Sequence, residues 1–445
     1  MKSTSLKNRI IDFIVRYPWN TNKEIETKFE LSSYELKDIF REINTLDFLN
    51  RSDEIEPYAI FYILNMMKIV EDKELITHIV NRTPVFPKIM ELHLGRYCQL
   101  NCMFCQTNTN IKDNKYRDNS RGKSSLSKNE MLDIIDEFVL SGGEEIILSG
   151  GLEPFTSELS IPIIEYCGEK NLSISIYTNG ISEAFNEDSE LRKILKNIRK
   201  IRFSINAIEP ETYHIIQAPH TSLPEAKRLF NQAISAVLNA RRLKLRESYL
   251  NVQIGVSFLL QRENIEELIP AMSFWEKTGI DFFDIRNDIL NYEKNEFSNN
   301  LQSAIKMRLH NYAEKTSSND LLVSWGRRYP RIEAYNIKTC YAPYKKVVLD
   351  WQGEFHACCL RAHIKNDKKT SLDYYQEKGD YAKIIQKNIN NLPIVPACKK
   401  CCDQELISNS CIQKIISDIN NGYCLDDNPF REWKIFTPYK RSNLW

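Results

Sequence analysis

The sequence predicts an α/β protein organised around a parallel β-sheet, and three observations carry the prediction. From about residue 86, short β-rich runs alternate with helical stretches, one βα unit after another. Cysteine-bearing or glycine-bearing polar segments directly follow the first three runs, at the strand ends where parallel sheets collect reactive groups. The first 85 residues lack this alternation and read as helices. A repeated βα order gives either an open doubly wound sheet or a full or partial barrel.

With 445 residues, the chain exceeds the roughly 250–300 residues at which a single core stops growing, so smaller units are expected beside the main one. The divisions fall at 1–85, 86–319 and 320–445. Basic and acidic side chains number 60 and 59, a balance that directs the chain to neither nucleic acid nor membrane. The longest apolar run, Tyr58 to Val70, is broken by Asn65 and Lys68 and is too short to cross a bilayer. The N-terminal stretch carries charges within its apolar run and no small-residue cleavage site, so a cytoplasmic location is expected. In that reducing compartment, twelve cysteines point to metal binding or catalysis rather than disulfides.

Within 1–85, three short helices are predicted: KNRIIDFIVRYP, NKEIETKF and SSYELKDIFREINTLDFL, the last capped by Ser32 or Ser33. The pattern resembles a winged helix-turn-helix. Residues 1–50 hold eight Lys/Arg and eight Asp/Glu, without the basic footprint of a DNA-binding domain, so packing or peptide docking is the expected role.

The body follows in order. Strands are predicted at Lys88–Leu94, Glu145–Ser149, Leu172–Thr178, Lys200–Asn206, Asn251–Phe258 and Asp281–Arg286, with helices at 127–140, 158–169, 187–198, 223–245 and 263–277. Residues 106–125 are polar and aperiodic, either a lid over the site or a solvated insertion. The run KKVVLD adds a short strand in 320–445.

After the first strand comes Cys98-Gln-Leu-Asn-Cys102-Met-Phe-Cys105, a C-x3-C-x2-C loop. Thiolates are soft ligands for zinc or iron–sulfur clusters, and three of them on a four-iron cluster leave one iron open for chemistry. A structural zinc site completed by His93 is the alternative. It leaves unexplained why Ser149-Gly150-Gly151-Leu152-Glu153-Pro154 and Tyr177-Thr178-Asn179-Gly180 end the next two strands. In that order, the motifs resemble the radical S-adenosylmethionine (SAM) superfamily. The resemblance implies a partial (β/α)6 TIM-like barrel over 86–319, a [4Fe–4S] cluster on Cys98, Cys102 and Cys105, and SAM chelated to the open iron. One electron then cleaves SAM to methionine and a 5′-deoxyadenosyl radical. It implies Phe104 beside the adenine, and Gly150, Gly151 and Glu153 at the SAM amino group. Asn179, Ser204 and Asn206 are implied at ribose or carboxylate. The family's usual turn is Gly-Gly-Glu-Pro; the inserted Leu152 leaves open whether backbone carbonyls or Glu153 meet the amino group.

Cys340, Cys358 and Cys398-Lys-Lys-Cys401 resemble the twitch form of the SPASM-like auxiliary domain, which implies four cysteines on one auxiliary [4Fe–4S] cluster. Two such clusters, as in the longer SPASM form, a zinc ribbon or unligated thiols are the alternatives.

Several stretches, Ile280–Arg286 among them, resemble the desosamine-pathway radical SAM deaminase, and the extra cysteine unit resembles the butirosin-pathway dehydrogenase. This implies a sugar or amino-cyclitol substrate that is oxidised or undergoes elimination, with Arg286 and Asp288 as contacts; a guanidinium fork suits carboxylate or phosphate. The alternative is maturation of a ribosomally made peptide whose leader docks on residues 1–85. Either reading requires an electron donor such as flavodoxin or ferredoxin. A third, an iron–sulfur DNA-binding regulator, predicts salt-dependent duplex binding.

Overall fold

A computed structural model describes chiefly residues 22–43, 72–105, 126–288 and, in the C-terminal third, 321–325, 337–359 and 401–422, with single-residue gaps. Its centre is a nine-stranded sheet in the order β7-β6-β5-β4-β3-β2-β1-β8-β9. The strands are β1 Ile89–His93, β2 Glu145–Leu148, β3 Ser173–Thr178, β4 Lys200–Ser204, β5 Gln253–Leu260, β6 Phe282–Asn287, β7 Leu322–Trp325, β8 Lys346–Asp350 and β9 Phe355–His356. Every pair is parallel except β8 with β9. This is a partial-barrel α/β fold with N-terminal helices and a C-terminal helical extension. Six strands lie where the β-rich runs predict them, each within a few residues.

The sheet does not stop at residue 319. KKVVLD supplies β8, which lies against β1 in register from Ile89↔Lys346 to His93↔Asp350. β7 extends the opposite edge beyond β6.

The helices are α1 Asn22–Phe29, α2 Ser33–Ile43, α3 Lys73–Asn81, α4 Lys128–Leu140, α5 Ser160–Glu169, α6 Asp188–Asn197, α7 Pro210–Ile216, α8 Leu223–Arg246, α9 Leu268–Thr278 and α10 Asp403–Asn420. Ser32 caps α2: Glu35 N–H donates to its hydroxyl at 3.2 Å, and Glu35 accepts from the Ser32 N–H at 2.8 Å. The first predicted helix lies mostly outside the described residues, as do 44–70 and the segment 106–125. α4 begins on a complete capping box of Ser127 and Glu130. α7, absent from the predicted pattern, is one short segment opened by Pro210.

Alternation gives the sheet two unlike faces. Met90, Ile146, Ile174, Ile201, Val256 and Phe283 are fully or nearly fully buried in one core, with α5, α8 and α9 packed on β3 and β5. The intervening residues are largely polar, as in β4, where Lys200, Arg202 and Ser204 alternate with buried Ile201 and Phe203. Parallel strands covered on both sides read as continuous apolar runs, so this alternation marks a face reserved for polar contacts. Among the described residues no helix is long and apolar enough to cross a membrane.

Candidate active site

The cysteine loop leaves β1 and is clamped to three neighbouring strand ends. Gly95 lets it approach the β2 turn: a Cβ there would stand 2.4 Å from the Glu153 carbonyl oxygen and 2.7 Å from the Leu152 carbonyl carbon. The Glu153 N–H donates to the Tyr97 carbonyl at 3.2 Å. In the turn itself, Gly150 and Gly151 have φ of +53° and +63°, a conformation that favours glycine. A Cβ on Gly150 would also lie 2.1 Å from His93 Nε2.

Asn179, at the end of β3, donates from Nδ2 toward Cys98 Sγ at 3.5 Å and to Gln99 Oε1 at 3.2 Å. Its Oδ1 accepts from the Ile181 N–H at 2.7 Å. At the end of β4, Gln217 donates to the Ser204 carbonyl at 3.0 Å, accepts from the Asn206 N–H at 2.6 Å and hydrogen-bonds Cys102. The backbone after α7 completes the clamp: Met103 N–H donates to the Ile216 carbonyl at 3.0 Å. The three cysteines, the glycine turn, Asn179, Ser204 and Asn206 therefore occupy one end of the sheet.

Two residues expected at the cofactor are engaged within the protein. Glu153, 4% exposed, accepts from Thr178 Oγ1 at 2.6 Å, the Asn179 N–H at 2.7 Å and the Phe155 N–H at 3.3 Å. Burial pushes its carboxyl up to about 7 against those three donors. Asn206 Oδ1 accepts from the Leu259 N–H at 2.6 Å, joining the ends of β4 and β5. Phe104 is half-buried against the core. Asp288 is buried and accepts from Gln261 Nε2 at 2.9 Å, and half-buried Arg286 lies on the polar face of β6.

The thiols stand where a bound metal centre, such as a multi-iron cluster, would relieve their burial and mutual charge. Burial, then the charges of Glu153 and Cys105, push Cys98 up to about 12. Burial, then Cys105 and Cys98, push Cys102 well above the thiol range. Buried thiols that oppose one another's ionisation become thiolates only beside a positive partner, which a cluster supplies. The Tyr213 hydroxyl is fully buried with no hydrogen-bond partner, within electrostatic reach of Cys102, Cys98 and Glu153; a buried donor of this kind calls for an acceptor. His93, the residue that would complete a zinc site, is fully buried and bonded through Nε2 to Glu91 at 3.1 Å. Among the described residues no group of three or more His, Cys, Asp or Glu, the three cysteines included, is already gathered around one point.

The second cysteine group is only partly described. Cys340, Cys358 and Cys401 are half-buried, while Cys398 lies outside the described residues. α10 braces this region: Asn409 accepts from the Tyr341 N–H at 2.5 Å and donates weakly to Cys340 Sγ at 3.9 Å. Lys345 pairs with Glu405 at 3.1 Å.

Several functional positions have no signal in the sequence pattern. Gln217 and Gly95 act through contacts across the fold. So does Glu91, which accepts from the Ser149 hydroxyl and from His93 and pairs with Lys346 at 2.9 Å.

Residues 92–274 match the family model described as the radical SAM superfamily. The matched stretch takes in the cysteine loop, the glycine turn and the ends of β3 and β4. It is 24% identical over 267 residues to a dTDP-4-amino-4,6-dideoxy-D-glucose ammonia-lyase of Streptomyces venezuelae, covering 57% of this chain and 51% of that protein. The chain thus spans about half the length of that curated relative. Among solved structures, it is similar to SuiB of Streptococcus suis bound to S-adenosylmethionine, with TM-score 0.49, 13% identity and coverage of 86% and 81% of the two chains. It is also similar to SuiB bound to precursor peptide SuiA, with TM-score 0.48, 13% identity and coverage of 88% and 83%.

Proposed function

We propose that this enzyme binds SAM at the end of the sheet occupied by Cys98, Cys102 and Cys105 and abstracts a hydrogen atom from a substrate lying over the polar face. The observation that carries this reading is the clamp joining the cysteine loop to the glycine turn and to the ends of β3 and β4. A [4Fe–4S] cluster on the three cysteines would supply the electron that splits SAM. Asn179 and Gln217 orient Cys98 and Cys102. Carbonyls of the Gly150–Leu152 turn receive the SAM amino group, while Glu153 holds that turn to β3. Phe104 lies beside the adenine, and Ser204 and Asn206 frame ribose or carboxylate. Cys340, Cys358, Cys398 and Cys401 hold one auxiliary [4Fe–4S] cluster, and Arg286 and Asp288 contact substrate. The enzyme works in the cytoplasm with a flavodoxin-type or ferredoxin-type donor.

For the substrate, a ribosomally made peptide is the first reading. SAM cleavage has no use for the helical unit preceding the barrel, and its capped, charge-balanced helices suit a leader peptide better than a nucleic acid. A nucleotide-linked amino sugar is the second, favoured by the similarity to the Streptomyces venezuelae ammonia-lyase, whose substrate is of that type.

The test is 5′-deoxyadenosine formation by the reduced, reconstituted full chain. Replacing Cys98, Cys102 and Cys105 with Ala should abolish it and leave iron on the second group; persistent cleavage would overturn the assignment. Substrate-dependent stimulation by a precursor peptide encoded beside the gene supports the first substrate reading. Stimulation by sugar nucleotides and not by that peptide supports the second.

A further inference from the structure

On the polar face, Lys200, Arg202 and Arg286 stand together with two acids near them, Asp284 and Glu145. Register places Lys200 and Arg202 of β4 across β5 from Phe282, Asp284 and Arg286 of β6. Two other lumenal charges are already matched: Lys346 by Glu91 at 2.9 Å, and Asp350 by His356 at 2.9 Å. Arg202 reaches one carboxylate, Asp284, at only 3.7 Å. Its Nε is buried with no hydrogen-bond partner. Neither Lys200 nor Arg286 has an ion pair among the described residues.

These cations are held in place by aromatic rings. The Arg202 guanidinium lies 3.8 Å from the Tyr177 ring centroid, and Lys200 Nζ lies 4.3 Å from that of Phe282. Gly255 makes room for the second arrangement, because a Cβ there would meet the Phe282 ring at 2.4 Å. Burial, and then the charge of Arg286, push the Arg202 guanidinium down. Two guanidiniums and an ammonium kept close together on a water-poor face are a cost unless an anion completes them. Arg286 lies beyond Asp284 toward the strand end that carries Ser204 and the cysteines, so the cluster opens toward the site where the radical forms.

We propose that Arg202 and Arg286, with Lys200 beneath them, form a binding site for an oxyanion of the substrate, a carboxylate or a phosphate. The guanidinium forks match either group, and anchoring at this depth fixes which carbon faces the radical. The proposal rests on the reading of the polar face as the substrate side.

The experiment is calorimetric titration of the SAM-loaded holoenzyme with three probes: inorganic pyrophosphate, thymidine diphosphate and glutarate. At least one should bind saturably. Arg286→Gln and Arg202→Gln should each weaken it about tenfold or more, the usual value of a hydrogen bond to a charged group. Arg286→Lys should retain part of the affinity, because charge survives and the fork is lost. SAM affinity, measured in parallel, should hold in all three variants and so report an intact fold. Preference for thymidine diphosphate assigns a phosphate; preference for glutarate assigns a carboxylate such as an acidic peptide side chain. No saturable binding by any probe, or undiminished binding in both glutamine variants, would overturn the site. Loss of SAM affinity together with probe affinity would also overturn it, since the cations would then serve the carboxylate of SAM. Wild-type enzyme that binds a probe but never cleaves SAM would count against the radical reading and leave the anion site standing.

Discussion

The two cysteine groups offer the same type of ligand from unlike places in the fold. Cys98–Cys105 is a short loop held by backbone and amide contacts to three strand ends, with no room between Gly95 and the β2 turn. Of the second group, Cys340 precedes β8 and receives a long hydrogen bond from Asn409 of α10, and Cys401 precedes α10. A loop that must present a reacting metal is over-determined by its surroundings. If four thiols close the coordination of the second group, as proposed, it needs less help from the fold around it.

The sharpest way to break that contrast is on activity. Cys102→Ala should eliminate 5′-deoxyadenosine formation. Cys340→Ala should lower bound iron while SAM still binds, as measured by iron content and SAM titration of the same preparations. Equal loss of SAM binding in both would mean the two regions are one site.

The next effect lies in the contact that joins them. Burial pushes the Glu91 carboxyl up, yet the charge of Lys346 and the hydrogen bonds from His93 and Ser149 outweigh it and hold the group well below the carboxylate range. A depressed acid contributes its stability above the unfolded value, about 4.3, and loses it as pH falls through the folded value. Glu91→Gln, which removes the ion-pair partner of Lys346 and leaves it the charge of Glu405, should cost about 3 kcal/mol near neutral pH. It should also flatten the acid limb of a urea-denaturation series. An unchanged limb would show that Lys346 is balanced by another acid.

The smallest effect compares two glycines. Gly95→Ala drives a methyl against backbone, so the loop or the turn must move, at about 1–3 kcal/mol, and SAM affinity should fall with it. Gly353, with φ +84°, meets only the flexible Leu126 side chain at 3.1 Å. Gly353→Ala should cost about 1 kcal/mol through its backbone conformation and leave SAM affinity untouched. Thermal denaturation and SAM titration of both variants separate the two outcomes.

The sequence made the barrel legible because its β-branched runs and intervening helices are local patterns, and it made the cysteine loop legible through spacing. The short α7 left no periodic trace over its seven residues. That KKVVLD would lie beside β1 was invisible, since an apolar run states that it is a strand and not which strand it joins. Glu153 and Asn206 were visible as motif residues, but their commitment to Thr178 and Leu259 depends on contacts 25 and 53 positions away. Gln217 carried no signal at all, although it links Cys102 to the end of β4.

The place of β8 beside β1 has a consequence for how the chain is made. β1 emerges from the ribosome early, and one of its edges has its partner β2 soon after. The other edge waits some 250 residues for Lys346–Asp350, an interval in which unpaired strand groups can recruit the wrong chain. A pairing this distant in sequence is slow to close, so the strand that leads into the catalytic loop is among the last to be sealed. A chain truncated before residue 346 would therefore display Cys98, Cys102 and Cys105 beside a strand with one open side.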